Sequence, residues 1–509
     1  MHPAPTTNLT TITLFSPPAA QTADSIALLW DKPATPGEKH YEVYANNTLV
    51  VSTRNTDYTL QGLDSETEYD IYIRAYATDE KPLQSNTLSI ATKPASQVFD
   101  ITSYSAVGDG EALNTDAIQT AIDACSEGGI VNIPAGVFLS GALYLKSDMT
   151  LYLNEGAVLL GSPDTKDYPL IESLYEGQIK TCYASLINTP VPAAGRLRNI
   201  TIAGPGKIDA NGSALIKKEL SEAKGKRGSA ICIRNTDNVY LEDITVRQSP
   251  FWCVHIVYCN GVSVNGVSIH TKYDEEGKKY EGIFNGDGLD PDSCSGVYIF
   301  NCHIASQDDG IAIKSGRNEE GRAVGLPTEN VRISNCRFTS GFGVAMGSEM
   351  SGGIRNVLVE DCVFSDTFSV ASVKAIRGRG SVIEDVTYRD CTFTNHSLEF
   401  GDTQWFRGAL YIDQFYGDLV FDPHEGRPVD ESTPVIRNIL FQNITLDTVA
   451  GNAIYLTGLL ESPLENIRLE NITAVGKYGF IANNVRGLEL NHVSVDAREG
   501  ESMRFINVK

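Results

Sequence analysis

One ten-residue pattern recurs through most of this chain and restricts its fold more than any other feature. "DNVYLEDITV" begins at Asp237, "NGVSVNGVSI" at Asn260 and "SGVYIFNCHI" at Ser295. "ENVRISNCRF" (Glu329), "RNVLVEDCVF" (Arg355) and "EDVTYRDCTF" (Glu384) follow, then "RNILFQNITL" (Arg437), "ENIRLENITA" (Glu465) and "RGLELNHVSV" (Arg486). The third residue of each is an aliphatic anchor, and successive anchors mostly lie 21 to 35 residues apart. A unit of that size holds one or two short strands and a turn, too little to bury its own apolar face. Stacking the units buries those faces in one continuous core. The pattern predicts a right-handed parallel β-helix.

The cysteines fit that register. Five residues after each anchor stand Ile244, Val267, Cys302, Cys336, Cys362, Cys391, Ile444, Ile472 and Val493. Four cysteines thus fill positions otherwise given to aliphatics, which reads as an internal ladder of small hydrophobes. The spacing is neither that of a zinc site nor that of a disulfide framework. Asparagines in "RN", "EN" and "NC" fall at turn positions, where their side chains bond the local backbone. Ahead of the repeats, "NTDAIQTAIDACSEGG" has helical spacing at Ala117, Ile118, Ala121, Ile122 and Cys125, and predicts a short helix capping the open end.

The first 94 residues follow another grammar. "SIALLW", "HYEVYA", "TLVVST" and "YDIYIRAYA" alternate with period 2 between turn residues, as in a small β-sandwich. Trp30 and "LDSETEYDIYIRAY", with Leu63, Thr67 and Tyr69, resemble a fibronectin type III domain over most of residues 8–94. Its aromatics Trp30, Tyr41 and Tyr69 read as core in preference to a sugar platform. "ATKPASQ", residues 91–97, is the linker-like boundary, giving a sandwich at 1–94 and a solenoid at 95–509.

Charge and hydropathy remove several functions. A net charge of −23 disfavours nucleic acid, whose phosphates want a basic face. No apolar run reaches the ~18 residues of a membrane span. "MHPAPTTNLTTITLF" has neither a basic n-region nor a continuous apolar h-region, which predicts a cytoplasmic chain, or a secreted or periplasmic one whose leader has been removed.

Against this background three aspartates need an explanation. "NGDGLDPDSC" carries Asp287, and twenty-one residues later "SQDDG" carries Asp308 and Asp309. In a solenoid that distance is about one coil, so the carboxylates should lie on adjacent rungs roughly 5 Å apart. Like charges that close raise a pKa, an arrangement expected where chemistry uses it. Exposed turn aspartates or a calcium site remain the alternatives. Two carboxyls of different pKa are what glycoside hydrolysis needs, and a third permits a pair sharing a water, as inversion requires.

Here the residues reach a family. "GPGKIDANG", "SPFWCVHIVYC", "NGDGLDPDSC", "DDGIAIKSG", "GSEMSGGIRNV", "VKAIRGRG" and "IDQFYG" resemble the polygalacturonase family of glycoside hydrolases, its bacterial exo-acting branch above all. The resemblance covers nearly all of 99–509. It implies an inverting hydrolase of α-linked galacturonate chains that uses no cofactor. Asp308 would be the general acid, and Asp287 and Asp309 the pair that activates water. Lys374 would hold a substrate carboxylate, Tyr416 and His255 would contact sugar, and Asn285 matches the family's Asn-Thr-Asp. Lys314, Arg317, Arg322, Lys374, Arg377 and Arg379 would form a local basic rim, with Lys314 and Arg377 also binding substrate. Insertions at 313–328 and 394–433 would close one end of the groove. Three family residues are replaced: Gly286 stands for the threonine of Asn-Thr-Asp, a mild change, Phe342 for a histidine that supports the acid, and Ser372 for an arginine that grips carboxylate. These replacements keep open a rhamnogalacturonan or decorated-galacturonan specificity, and a catalytically silent pectin-binding protein. A lyase on a similar solenoid would instead need a calcium cluster and a basic residue as proton abstractor.

Overall fold

The computed structural model describes residues 12–33, 39–77, 81–191, 195–222, 224–396, 405, 407–417 and 422–509. Most of the amino-terminal stretch, and parts of the expected 394–433 insertion, lie outside these. The repeat units stack into one sheet system of 33 strands in which each strand pairs in parallel with its counterpart one coil later. The solenoid has three faces. Val254–Val257, Leu289–Asp292, Ile311–Ile313, Val344–Met346, Ala371–Lys374 and Gly408–Asp413 form the first. The anchors lie on the second, where Val262 pairs with Val297, Val297 with Val331 and Val331 with Val357. Shorter strands such as Ser268–His270 and His303–Ala305 make the third.

The core follows the repeat. Ile244, Val267, Cys302, Cys336, Cys362, Cys391, Ile444 and Ile472 belong to one buried cluster, and Val493 packs against it. All ten cysteines are buried free thiols. Asn356 donates to Asn330 at 2.6 Å, Asn466 to Asn438 at 3.1 Å and Asn471 to Asn443 at 2.9 Å, one coil to the next. These residues hold φ near +55°, a left-handed turn that asparagine tolerates better than most residues. Helix α1 (Thr115–Ala124) buries Ile118, Ala121 and Ile122 on the first coils, and α2 (Gly212–Glu222) buries Leu215 and Ile216 farther along.

The amino-terminal sandwich has Trp30, Tyr41, Val43, Ile71 and Ile73 in its core, with Tyr69 against it. Its outer surface is not free of the solenoid. Ala19, Ala20, Ala27 and Leu29 pack on Tyr240 and Phe300 of the second face. Lys32 meets Asp361 at 2.5 Å and Asp390 at 2.7 Å, and Arg332 bridges Glu360 and the Trp30 carbonyl, each at 2.8 Å. Asp57 accepts from Asn301 at 2.6 Å and also from Asn335. Buried charge pairs of this kind hold only with good geometry, so the module is docked, not a loose spacer.

Candidate active site

The first face carries the aspartates. Leu289 pairs with Ile311 and Asp292 with Lys314, a shift of 22 residues, so Asp287 lies level with Asp309 and not, as the spacing suggested, with Asp308. Backbone bonds tie the rungs: Cys253 N donates to the Asp287 carbonyl and Gly288 N to the Asp309 carbonyl, both at 2.9 Å. Glycines permit this closeness, since a methyl on Gly310 would stand 2.7 Å from the Gly343 carbonyl oxygen. Asp287 and Asp309 are buried, and Asp308 is partly exposed beside them.

Two lysines compensate the cluster. Lys374 Nζ sits 2.6 Å from Asp309 Oδ2, leaving Asp309 Oδ1 buried without a protein hydrogen-bond partner. Lys314 Nζ stands 3.6 Å from Asp287, 3.7 Å from Asp290 and 3.4 Å from Glu349. Asp290 and Glu349 escaped the sequence reading. Asp290 alternates with the inward Leu289 and so faces out on the same strand, a period-2 signal present in "GLDPD". Glu349 carried no comparable signal.

Charge is unequal across the cluster. Burial first, then Asp290 and Asp308, push the Asp287 carboxyl well up. Burial raises Asp290 to about 7 against the pull of Lys314, and burial with Asp309 beside it raises Asp308 to about 6. Glu349 goes the other way: burial opposes ionisation, yet Lys314 and Arg379 hold it down at about 2. Carboxyls kept protonated beside carboxylates kept charged are the equipment of acid–base chemistry on one bond.

The remaining expected residues divide. Tyr416 lies at the groove with its ring 5.1 Å from Lys374 Nζ, edge-on to the exposed Trp405. Asn285 accepts from Arg227 at 2.8 Å, a guanidinium sandwiched between Phe284 and Phe251 that the sequence did not single out. His255 is buried edge-on to Trp252, with Nε2 3.4 Å from Asp292; burial opposes its charge, but that partner and Cys232 raise it to about 9. Arg377 meets Glu461 at two points, 2.6 and 3.1 Å. The arginines of the expected basic rim likewise have protein partners. Arg317 pairs with Glu176 at 3.1 Å, Arg322 donates to the Gly378 carbonyl at 2.6 Å, and Arg379 to Ser348 O and Asn318 Oδ1. These cations pin loops. Phe342 packs on Phe368, 5.3 Å between centroids, and contributes its backbone N–H to the Asp308 carbonyl at 3.1 Å. Ser372 pairs with Ser369 at 2.7 Å, in an outward column with Ala345 below it and Tyr411 above.

One flank of the groove is walled. A hairpin, Leu170–Tyr175 and Gln178–Tyr183, reaches α3 (Asn318–Val324): Arg317 N donates to the Gly177 carbonyl at 3.0 Å and Ile179 N to Glu320 at 3.3 Å. Tyr175 stacks on Phe251 at 4.3 Å and receives Arg227 at 3.3 Å. The 313–328 insertion was foreseen, its hairpin partner was not.

Clustered acids of divided charge on one face of a parallel β-helix are suited to cleaving carbohydrate. The family model "Glycosyl hydrolases family 28" matches residues 189–494, and "Fibronectin type III domain" matches 16–90. The exo-poly-α-D-galacturonosidase of Dickeya chrysanthemi is 30% identical over 73% of this chain and 72% of that protein. A probable polygalacturonase of Vitis vinifera is 31% identical, with the same coverage, 73% and 72%. The family 28 exopolygalacturonase of Yersinia enterocolitica superposes with a TM-score of 0.82 at 24% identity, over 97% of this chain and 98% of that one. The chain belongs to glycosyl hydrolases family 28, and is a glycoside hydrolase.

Proposed function

We propose that this hydrolase removes galacturonate units from the end of α-linked pectic chains with inversion. The observation that carries the reading is Asp287 level with Asp309 on adjacent rungs, Asp308 beside them and two lysines among them. Asp308, raised to about 6 and partly exposed, donates its proton to the leaving oxygen. Asp309, 2.6 Å from Lys374 and with Oδ1 unpartnered, accepts the proton of the attacking water, which Asp287 helps to place. Water attacks from the face opposite the leaving group, so the product anomer is inverted. Lys374, beside Tyr416, is the cation best placed to meet a uronate carboxylate.

End-on attack is supported by the wall that Leu170–Tyr183 and α3 raise beside Trp252 and Lys314, because an exo-enzyme needs a groove stopped at one end. The Dickeya relative's exo-acting name points the same way. A decorated galacturonan is a second reading, favoured by the small Ser372 side chain where the family has a guanidinium, with the small Ala345 on the neighbouring strand. Product analysis on plain and decorated oligogalacturonates tests both, with proton NMR of the first-formed anomer. The account expects short saturated products from the first minutes, appearing as the β-anomer. A ladder of intermediate lengths would overturn the exo reading, and an initial α-anomer would overturn inversion.

A further inference from the structure

Lys314 is shared almost evenly. Its ammonium lies 3.4 Å from Glu349, 3.6 Å from Asp287 and 3.7 Å from Asp290, with the Trp252 ring centroid at 4.3 Å. An ammonium carries three hydrogens, and three carboxyl groups compete for them. The first two aspartates belong to the catalytic rung. Glu349 does not, yet its backbone is fixed to the same level. Ser315 N donates to the Glu349 carbonyl at 2.8 Å, and Gly347 N to the Ile313 carbonyl at 2.8 Å. Its side chain is held as well, by Ser348 Oγ at 3.3 Å and Arg379 at 3.8 Å, and Arg379 is itself anchored on Ser348 O and Asn318. The carboxylate is thereby held from several sides, and it meets the Lys314 ammonium across 3.4 Å.

We propose that Glu349 is a positioning residue: it tethers the Lys314 ammonium midway, so that Asp287 does not capture the full counter-charge and stays matched to Asp309 across the attacking water. The proposal rests on the hydrolytic reading of Asp287, Asp308 and Asp309 above. The groups bearing on this balance are Asp287, Asp290, Asp308 and Asp309 on the rung, Lys314 and Lys374 between them, His255 beneath Asp290, and Arg317 and Arg379 behind Glu349. Glu349 stays ionised at every pH of interest, held at about 2 chiefly by Lys314 once burial is overcome. Without its charge, Lys314 moves to Asp287 and Asp290 and favours their ionised forms.

The sign of the effect follows. Ionisation of Asp287 at lower pH moves the acidic limb of kcat/KM to lower pH, and the misplaced ammonium lowers kcat. The test is Glu349→Gln, which keeps the shape and the contacts to Ser348 and Arg379, assayed for sugar release from oligogalacturonate across pH. Expected are a kcat lower by about tenfold or more, KM within about twofold, an acidic limb displaced downward, and partial recovery of both in Glu349→Asp. If both variants keep the wild-type acidic limb, or raise KM alone, the tether is wrong. Should Glu349→Gln fail to give a native circular dichroism spectrum, Glu349→Asp alone decides: a shortened side chain must still move the limb. A wild-type enzyme that releases no sugar from any pectic oligomer would refute the hydrolytic reading itself, an outcome separate from an unmoved limb in an active variant.

Discussion

Replacing Lys374 with methionine isolates the strongest charge pair of the site. Methionine keeps an unbranched apolar stem and loses the ammonium 2.6 Å from Asp309 Oδ2. Gross Coulomb attraction at that separation is about 6 kcal/mol at an effective dielectric of ~20. Breaking one side of a buried pair costs ~3–5 kcal/mol, because an uncompensated charge remains. The base is then left without its positioning partner, and a base held out of place slows the reaction. At ~1.4 kcal/mol per decade the expected loss in kcat is about 10²–10³ near neutrality. Stopped assays of reducing-sugar release from pH 4 to 8 read this directly, with circular dichroism to check the fold. A variant whose KM rises while kcat stays as in wild type would refute the argument. Lys374 would then serve the substrate carboxylate alone.

Other outcomes follow from the same geometry. Because burial and Asp309 raise Asp308 to about 6, and the proton donor must be protonated, kcat/KM should fall as pH rises through about 6; a profile flat to pH 8 would contradict Asp308 as donor. Lys32→Met removes the cation between Asp361 and Asp390 and should cost ~1–3 kcal/mol in urea unfolding while leaving kcat unchanged, since these two aspartates lie at turns away from the strands that carry Asp287 and Asp309; unchanged stability would mean the sandwich is not docked through them. Gly310→Ala places a methyl 2.7 Å from the Gly343 carbonyl and 2.8 Å from the Phe338 ring, and should lower kcat about tenfold by displacing the Asp308–Asp309 rung, with lower thermal stability.

What was legible in the sequence was whatever repeats or sits close along the chain. The aliphatic anchors and the Cys302–Cys391 ladder announced the solenoid because one coil's register is read again in the next. Asp287, Asp308 and Asp309 were visible for the same reason, although their level differed by one residue, since coil length is set by turn conformation and not by counting. Asp290 could have been found from strand alternation. Glu349, Arg227 and the Leu170–Tyr183 hairpin could not, because their partners lie far along the chain: Lys314 is 35 residues from Glu349, Asn285 is 58 from Arg227, and Glu320 is 141 from Ile179. Docking of the sandwich was hidden likewise, in pairs such as Trp30 with Arg332, 302 residues apart. The expected basic rim shows a complementary effect. Cations read singly in loops look available, but the fold supplies Glu176, Glu461 and backbone carbonyls to most of them.

The most direct test of the account is single-turnover cleavage of an oligogalacturonate by Asp308→Asn beside wild type at pH 5. Removing a general acid from a preserved site should slow bond cleavage by about 10²–10⁴ while substrate binding, followed by tryptophan fluorescence, persists. Cleavage at the wild-type rate would contradict the assignment of this rung as the place where the glycosidic bond breaks.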